Sequence, residues 1–182
     1  DPGTRNPLKR LGACVAKGTL VSTDKGMVKI EDVKIGDLVE TMEGLKEVSA
    51  SALTRKDAEV LTLTVWSGKA ITLTPDHLVL ASDSDDKIPG WVPAEKITTK
   101  HCLYTPAPPS IFPGEPKVAP TIVVSVKKAR RVDVYDITVP GPEHFFANGI
   151  VTHNCKHLMA LMGSLEDRGV AQTAVQYYRP KK

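Results

Sequence analysis

Val60-Leu61-Thr62-Leu63-Thr64-Val65-Trp66-Ser67-Gly68-Lys69-Ala70-Ile71-Thr72-Leu73 is the stretch whose reading decides the fold. Leu61, Leu63 and Val65 alternate with Thr62 and Thr64, which is the period of a strand with one buried face. Ser67-Gly68 is hairpin chemistry, and Ala70 to Leu73 is the returning strand. Thr74-Pro75-Asp76 breaks that strand, and His77-Leu78-Val79-Leu80 resumes extended apolar chain.

The same texture continues outward in both directions. Toward the N-terminus, Gly18-Thr19-Leu20-Val21 starts a short strand, Asp24-Lys25-Gly26 is a turn, and Val28 and Ile30 alternate with polar residues. Ile30 to Val39 reads as a tight or single helical turn followed by a strand. Toward the C-terminus come a polar loop at 82–87, the turn-rich Trp91 to Ile97, strands over Thr121–Val126 and Arg131–Val139, and a Pro140-Gly141-Pro142 turn. Tyr104 to Pro120 holds six prolines and reads as an extended, poorly structured linker near 105–120. Short strands, frequent Gly and Pro turns and almost no helical period make an all-β fold. The body also repeats loosely: a turn-rich segment and strand before His77 match a second such pair before His153, as two related halves would.

Composition divides the chain in three. Its 182 residues, 41% hydrophobic and 25% charged, suit one globular domain with tails. Residues 1–13 carry three basic and one acidic residue, and 155–182 five and two. The middle, 14–154, holds 16 basic and 18 acidic residues. That balance excludes a basic nucleic-acid surface over the body. No apolar run reaches membrane-spanning length and residues 1–7 lack a secretory segment, so a cytoplasmic location is expected. Three cysteines at 14, 102 and 155 cannot all pair, which points to free thiols in a reducing compartment. Helical spacing occurs only at Leu158, Leu161, Met162 and Leu165, outside the body.

Chemistry concentrates at the two composition boundaries. At the second, Gly149-Ile150-Val151-Thr152-His153-Asn154-Cys155 aligns an imidazole, a carboxamide and a thiol. The Asn154 side-chain nitrogen can attack its own carbonyl through a five-membered ring, and His153 can move the protons this needs. Cys155 is a strong nucleophile. At the first boundary, Cys14 follows Ala13, where a thiol can convert the preceding amide into a thioester if the scaffold strains that bond or stabilises the oxyanion and leaving amine. Two thiols 141 positions apart, one preceded by His-Asn, are what a chain needs to excise its own middle.

At this point the sequence resembles the intein family. Cys14 to Ile30 looks like its N-terminal block, and Leu73-Thr74-Pro75-Asp76-His77-Leu78-Val79 like its TxxH block. Val134 to Val139 with His144 to Gly149 is similar to the block before the C-terminal junction, and Val151 to Cys155 to that junction. The resemblance implies a Hint-type horseshoe with pseudo-twofold halves over 14–154, flanked by extein segments at 1–13 and 155–182. It implies a mini-intein, because the proline-rich gap has neither the length nor the motifs of a homing endonuclease. By the same resemblance Cys14 is the first nucleophile, Thr74 and His77 act on the Ala13–Cys14 amide, and Asp136 orients Cys14 and assists transfer to Cys155. Asn154 then cyclises, helped by His153 and His144, and an S–N shift joins Ala13 to Cys155.

The expected substrate is the chain's own flanks, acted on by a monomer with no nucleic-acid, membrane or cofactor partner, in a microbial or phage-encoded host protein. Zinc on Cys14 and Cys155 is expected to inhibit; His153, Cys155 and His157 have metal-like spacing but lack a second ligand pair for a structural site. Cys102, beside His101, reads as a small core residue or a redox partner for a junction thiol. Two other readings fit the residues less fully. One is a bacterial intein-like or Hedgehog-type domain that cleaves without ligating, and the other a thiol- or metal-binding β-domain.

Overall fold

A computed structural model describes residues 14–83, 88–108, 111–114 and 116–154. Ala13, Cys155, the flank 155–182 with its helical spacing, and parts of the 82–87 and 105–120 segments lie outside the described residues. The rest forms thirteen strands: β1 (Val15–Ala16), β2 (Leu20–Thr23), β3 (Gly26–Lys29), β4 (Leu38–Thr41), β5 (Gly44–Glu47), β6 (Ala50–Val65), β7 (Ala70–Leu73), β8 (Leu78–Asp83), β9 (Gly90–Pro93), β10 (His101–Pro106), β11 (Val118–Thr138), β12 (His144–Ala147) and β13 (Ile150–His153). Two single 3-10 turns, Ile30–Asp32 and Ala94–Lys96, are the only helical elements among the described residues. The all-β expectation holds.

The halves are visible in the pairing. In the first, β2 pairs with β3 and β4; in the second, β8 pairs with β9 and β10. A 3-10 turn sits between the second and third strand of each trio, entered from nearly identical backbone: Lys29 at φ −61°, ψ 141° and Pro93 at φ −61°, ψ 140°. Each half then runs into one long strand, β6 or β11, and these two pair antiparallel with each other from Ala50↔Thr138 to Val65↔Val123. The hydrogen-bonded path is β1-β7-β6-β11-β10-β8-β13-β12-β2-β4-β5.

Three expectations are revised. The strand read from Val60 begins at Ala50, because the unbroken exposure of residues 52–57 hid a segment held by its partner rather than by an apolar face. The strands read as Thr121–Val126 and Arg131–Val139 are one strand, β11, with register shifts between Ala129 and Tyr135 that break the alternation a sequence reading relies on. The proline-rich linker is anchored at both ends by paired strands, with Tyr104↔Pro120 and Pro106↔Val118. Among the described residues no strand pairs with the other edge of β11 over 118–121, so a residue lacking N–H is tolerated there.

The main core is aliphatic, with Val15, Ile30, Leu63, Leu73, Val79 and Phe145 all buried. A smaller cluster gathers Met42, Leu80, Tyr104, Phe146 and Val151. Burying Phe145 alone is worth about 2–3 kcal/mol. The β12–β13 hairpin that presents the second boundary turns at Asn148 (φ 50°) and Gly149 (φ 75°), the paired left-handed conformation of a type I′ turn. Asn148 also ties this turn to two other strands: its Oδ1 accepts from Leu20 N–H at 2.7 Å and its Nδ2 donates to Ala70 O at 2.9 Å. No helix among the described residues is long and apolar enough to cross a membrane.

Asn148→Ala should therefore cost about 2–3 kcal/mol, combining two lost hydrogen bonds with an unfavourable left-handed alanine. The urea-unfolding midpoint measures it; a loss below about 1 kcal/mol would mean the side chain does not hold the hairpin.

Candidate active site

Cys14 is placed by the shortest strand. The register of β1 against β11 (Val15↔Tyr135, Ala16↔Val134), carried back one residue, sets Cys14 opposite Asp136. The register against β7 (Val15↔Leu73) sets it opposite Thr74. Contact with Thr74 is direct. The Cys14 N–H donates to Thr74 Oγ1 at 2.9 Å, Thr74 N–H donates to the Cys14 carbonyl at 2.9 Å, and the Thr74 hydroxyl donates to that carbonyl at 3.3 Å. The thiol is fully buried against Ala58, Val60 and Val134. Asp136 is also buried, at 6% exposure.

His77 lies three residues beyond Thr74, in a turn closed by its N–H on Thr74 O at 3.1 Å. The second 3-10 turn braces this turn, with Ala94 N–H on His77 O at 2.9 Å and Glu95 N–H on Pro75 O at 2.8 Å. His77 Nε2 is 2.5 Å from Thr152 Oγ1, whose hydroxyl donates to Leu78 O at 3.3 Å. This short contact holds the imidazole of His77 against β13. Thr152 pairs with Val79 across β13 and β8, so the TxxH turn is bound to the strand that leads into Asn154.

Asn154 is enclosed by the β11–β12 connection. Its N–H donates to Glu143 O at 3.0 Å. Its carboxamide, oriented to satisfy both ends, donates to Glu143 O at 3.1 Å and accepts from Val139 N–H at 2.9 Å. Glu143 holds φ 57°, a left-handed conformation uncommon for a non-glycine residue, and this aims its carbonyl. His153 Nδ1–H donates to the Asn154 carbonyl at 2.7 Å, and its ring meets Trp91 edge-on with centroids 4.9 Å apart.

His144 stands directly opposite His153 in the β12–β13 register. Both of its nitrogens are engaged by backbone: Nδ1–H donates to Pro142 O at 3.0 Å and Nε2 accepts from Met42 N–H at 2.9 Å. Burial, partly opposed by the Pro142 bond and aided by the charge of His153, lowers its pKa from 6.5 to about 4. The ring is neutral near pH 7 in one fixed tautomer.

The structure thus gathers Cys14, Thr74 and Asp136 at one junction and His144, His153 and Asn154 at the other, with His77 joined to the second through Thr152. Ala13 and Cys155 lie outside the described residues. Cys102 pairs with Ile122 and Ser82, in strands remote in sequence from both boundaries. No three potential metal ligands cluster among the described residues. Thr54, Thr152, Trp91 and Glu143 are contributors that sequence reasoning did not assign. Thr152 was within a recognised motif; Glu143 acts through its backbone, which no side-chain pattern announces.

His144 generates a testable pH dependence. With its folded pKa below the unfolded value, the unfolded state binds the proton first, so stability is full above pH 6.5 and falls as pH drops toward 4. The loss from this group is about 3 kcal/mol. Urea titrations at pH 7 and pH 4.5 in an inert Cys14→Ala/Asn154→Ala chain should show it, and His144→Gln should remove most of that slope.

The Hint module family model matches residues 5–152. Among solved structures, the gp41-1 intein is 25% identical with a TM-score of 0.63, covering 79% of this chain and 99% of that one. The DnaB intein from Synechocystis sp. PCC 6803 is 24% identical with a TM-score of 0.66, covering 78% and 98%. A bacterial intein-like domain from Clostridium thermocellum is 27% identical with a TM-score of 0.61, covering 78% and 98%. No curated protein matches at the level of sequence. With a family match spanning most of its length and the fold of solved inteins, the chain belongs to the Hint module family, as a self-processing domain of the intein type.

Proposed function

We propose that residues 14–154 are a mini-intein that splices in cis, using 1–13 and 155–182 as its exteins. The observation that carries this reading is that Cys14 and Asn154, the inner residue at each boundary, are buried with a backbone group held by a hydrogen-bonding side chain. The Cys14 N–H lies on Thr74 Oγ1, and the Asn154 carbonyl accepts from His153 Nδ1–H.

In the first step the Cys14 sulfur attacks the Ala13 carbonyl, and the Cys14 nitrogen leaves as an amine. Thr74, already bonded to that nitrogen, orients the amide, while His77 supplies the proton the amine needs and Asp136 assists the thiol. Cys155 then accepts the acyl group. Asn154 Nδ2, its hydrogen bond to Glu143 O raising its nucleophilicity, closes on its own carbonyl carbon as His153 polarises the oxygen. A final S–N shift leaves Ala13 joined to Cys155. His144, with both nitrogens occupied, positions the hairpin rather than carrying the proton. Holding the partners in one fold supplies effective molarities of about 10⁵ M or more.

No cofactor takes part in this scheme; zinc on Cys14 and Cys155 would mask both thiolates. The domain acts on its own flanks as a monomer and cuts no DNA. The likeness to a bacterial intein-like domain supports a second reading, in which both junctions are cleaved and no flank is joined; Cys155, a competent acceptor, favours ligation.

Expression of the intact chain at neutral pH with reductant, followed by mass analysis, tests this. Splicing yields an excised 141-residue body and a joined 41-residue product. Separate flanks support the second reading, and intact chain after a day removes both. Cys14→Ala should abolish thioester formation yet leave slow C-terminal release, whereas Asn154→Ala should abolish that release.

A further inference from the structure

Thr54 is an exposed residue of β6 with no place in any recognised motif, yet its hydroxyl meets the Cys14 thiol: Cys14 Sγ and Thr54 Oγ1 are 2.6 Å apart. The backbone explains how a residue of another strand arrives there. On β6, Leu53 pairs with Tyr135 and Arg55 pairs with Val134, so two residues of β6 advance against one of β11. Thr54 is the extra residue of a β-bulge. Bulges occur beside active sites because they re-aim one side chain without disturbing the ladder on either side. Here the bulge turns Thr54 toward the residue that precedes β1.

The hydroxyl is itself held. Its O–H donates to the Val134 carbonyl at 3.1 Å, and Val134 is both the β11 partner of Ala16 and part of the apolar wall around Cys14. A hydroxyl has one proton and two lone pairs. While that proton rests on Val134 O, the oxygen accepts from the Cys14 S–H and fixes the direction of the thiol. Once the sulfur loses its proton, rotation about the C–O bond lets the hydroxyl donate to it instead. The exchange favours the charged sulfur, because hydrogen bonds to ionised acceptors are about twice as strong as neutral ones.

We propose that Thr54 is a further catalytic residue of the first junction, its bulge-placed hydroxyl orienting the Cys14 sulfur and donating to it as the S–H bond breaks. This rests on the reading of Cys14 as the first nucleophile. In the step itself the bond from Cys14 Sγ to the Ala13 carbonyl carbon forms and the Ala13–Cys14 C–N bond breaks. The thiol loses one proton and the leaving amine gains one. Thr54 begins and ends as a neutral hydroxyl, so nothing further is consumed.

The test uses the full chain carrying Asn154→Ala and Cys155→Ala, which leaves only the first step available, and Cys102→Ser, which makes Cys14 the sole thiol. Two rates are read at one pH: release of the N-terminal flank by excess dithiothreitol, and alkylation of Cys14 by iodoacetamide. Thr54→Val keeps the branched shape and removes the hydroxyl; it should slow both rates about tenfold, as expected for one hydrogen bond to a charged group. Thr54→Ser should restore both, with the urea midpoint unchanged in all three proteins. Should valine distort the bulge, Thr54→Ala reads the same two rates. Equal rates for the hydroxyl-bearing and hydroxyl-free variants would overturn the assignment, as would slowing that serine does not rescue. If no variant releases the flank, the thioester step of the proposed function falls and the catalytic role of Thr54 falls with it; alkylation that still follows the hydroxyl then shows only that Thr54 contacts the sulfur.

Discussion

Val15 and Ala16 form a strand of only two residues, and the first junction depends on its being gripped along both edges. β7 holds one edge through Leu73, and β11 holds the other through Val134 and Tyr135. A two-residue strand has no stability of its own; its position comes entirely from its neighbours. The grip sets Cys14 between Thr74 and Asp136 and turns a peptide end into a site with defined geometry. It also explains why the long pairing of β6 with β11 matters to chemistry. β7 is the hairpin return of β6, so the β6–β11 pairing sets the width of the slot that β1 fills.

The second junction obeys a different constraint. Asn154 is held less by strand pairing than by the Val139–Glu143 turn, closed by Glu143 N–H on Val139 O at 3.0 Å. That turn presents a donor and an acceptor to the carboxamide, with Glu143 held in a left-handed conformation. Trp91 and the neutral His144 pack beside His153 and fix the plane of its imidazole. His77 and Thr152 connect the two junctions through one hydrogen bond between β13 and the TxxH turn. Each junction is thus assembled from segments far apart in sequence.

Much of this was legible in the residues. The alternation of Leu61, Leu63 and Val65, the return at Ala70–Leu73 and the turn residues announced an antiparallel fold, and the strands appear where the period is clear. The loose repeat of turn and strand is realised as two trios, each with its own 3-10 turn. Legibility failed where burial does not follow a period. The first half of β6 is solvent-facing, held by ladder hydrogen bonds that carry no side-chain signature. β11 changes register repeatedly, so its alternation slips and reads as two strands. The proline-rich segment looked unstructured because proline is judged by its missing N–H, which matters little on an unpaired edge.

The sequence by itself determined which atoms could react: two thiols at the composition boundaries, an asparagine after a histidine, and a threonine and histidine three apart. These follow from covalent chemistry and spacing, which need no coordinates. Only the tertiary structure decided how each group is deployed. It bound His77 to Thr152, occupied both nitrogens of His144, and clamped Asn154 with a backbone carbonyl. It also brought Thr54 to the sulfur through a one-residue slip in strand register. Hydrogen-bond partners and bulges arise from which strands meet and in what register, and that is settled by long-range pairing rather than by any local pattern.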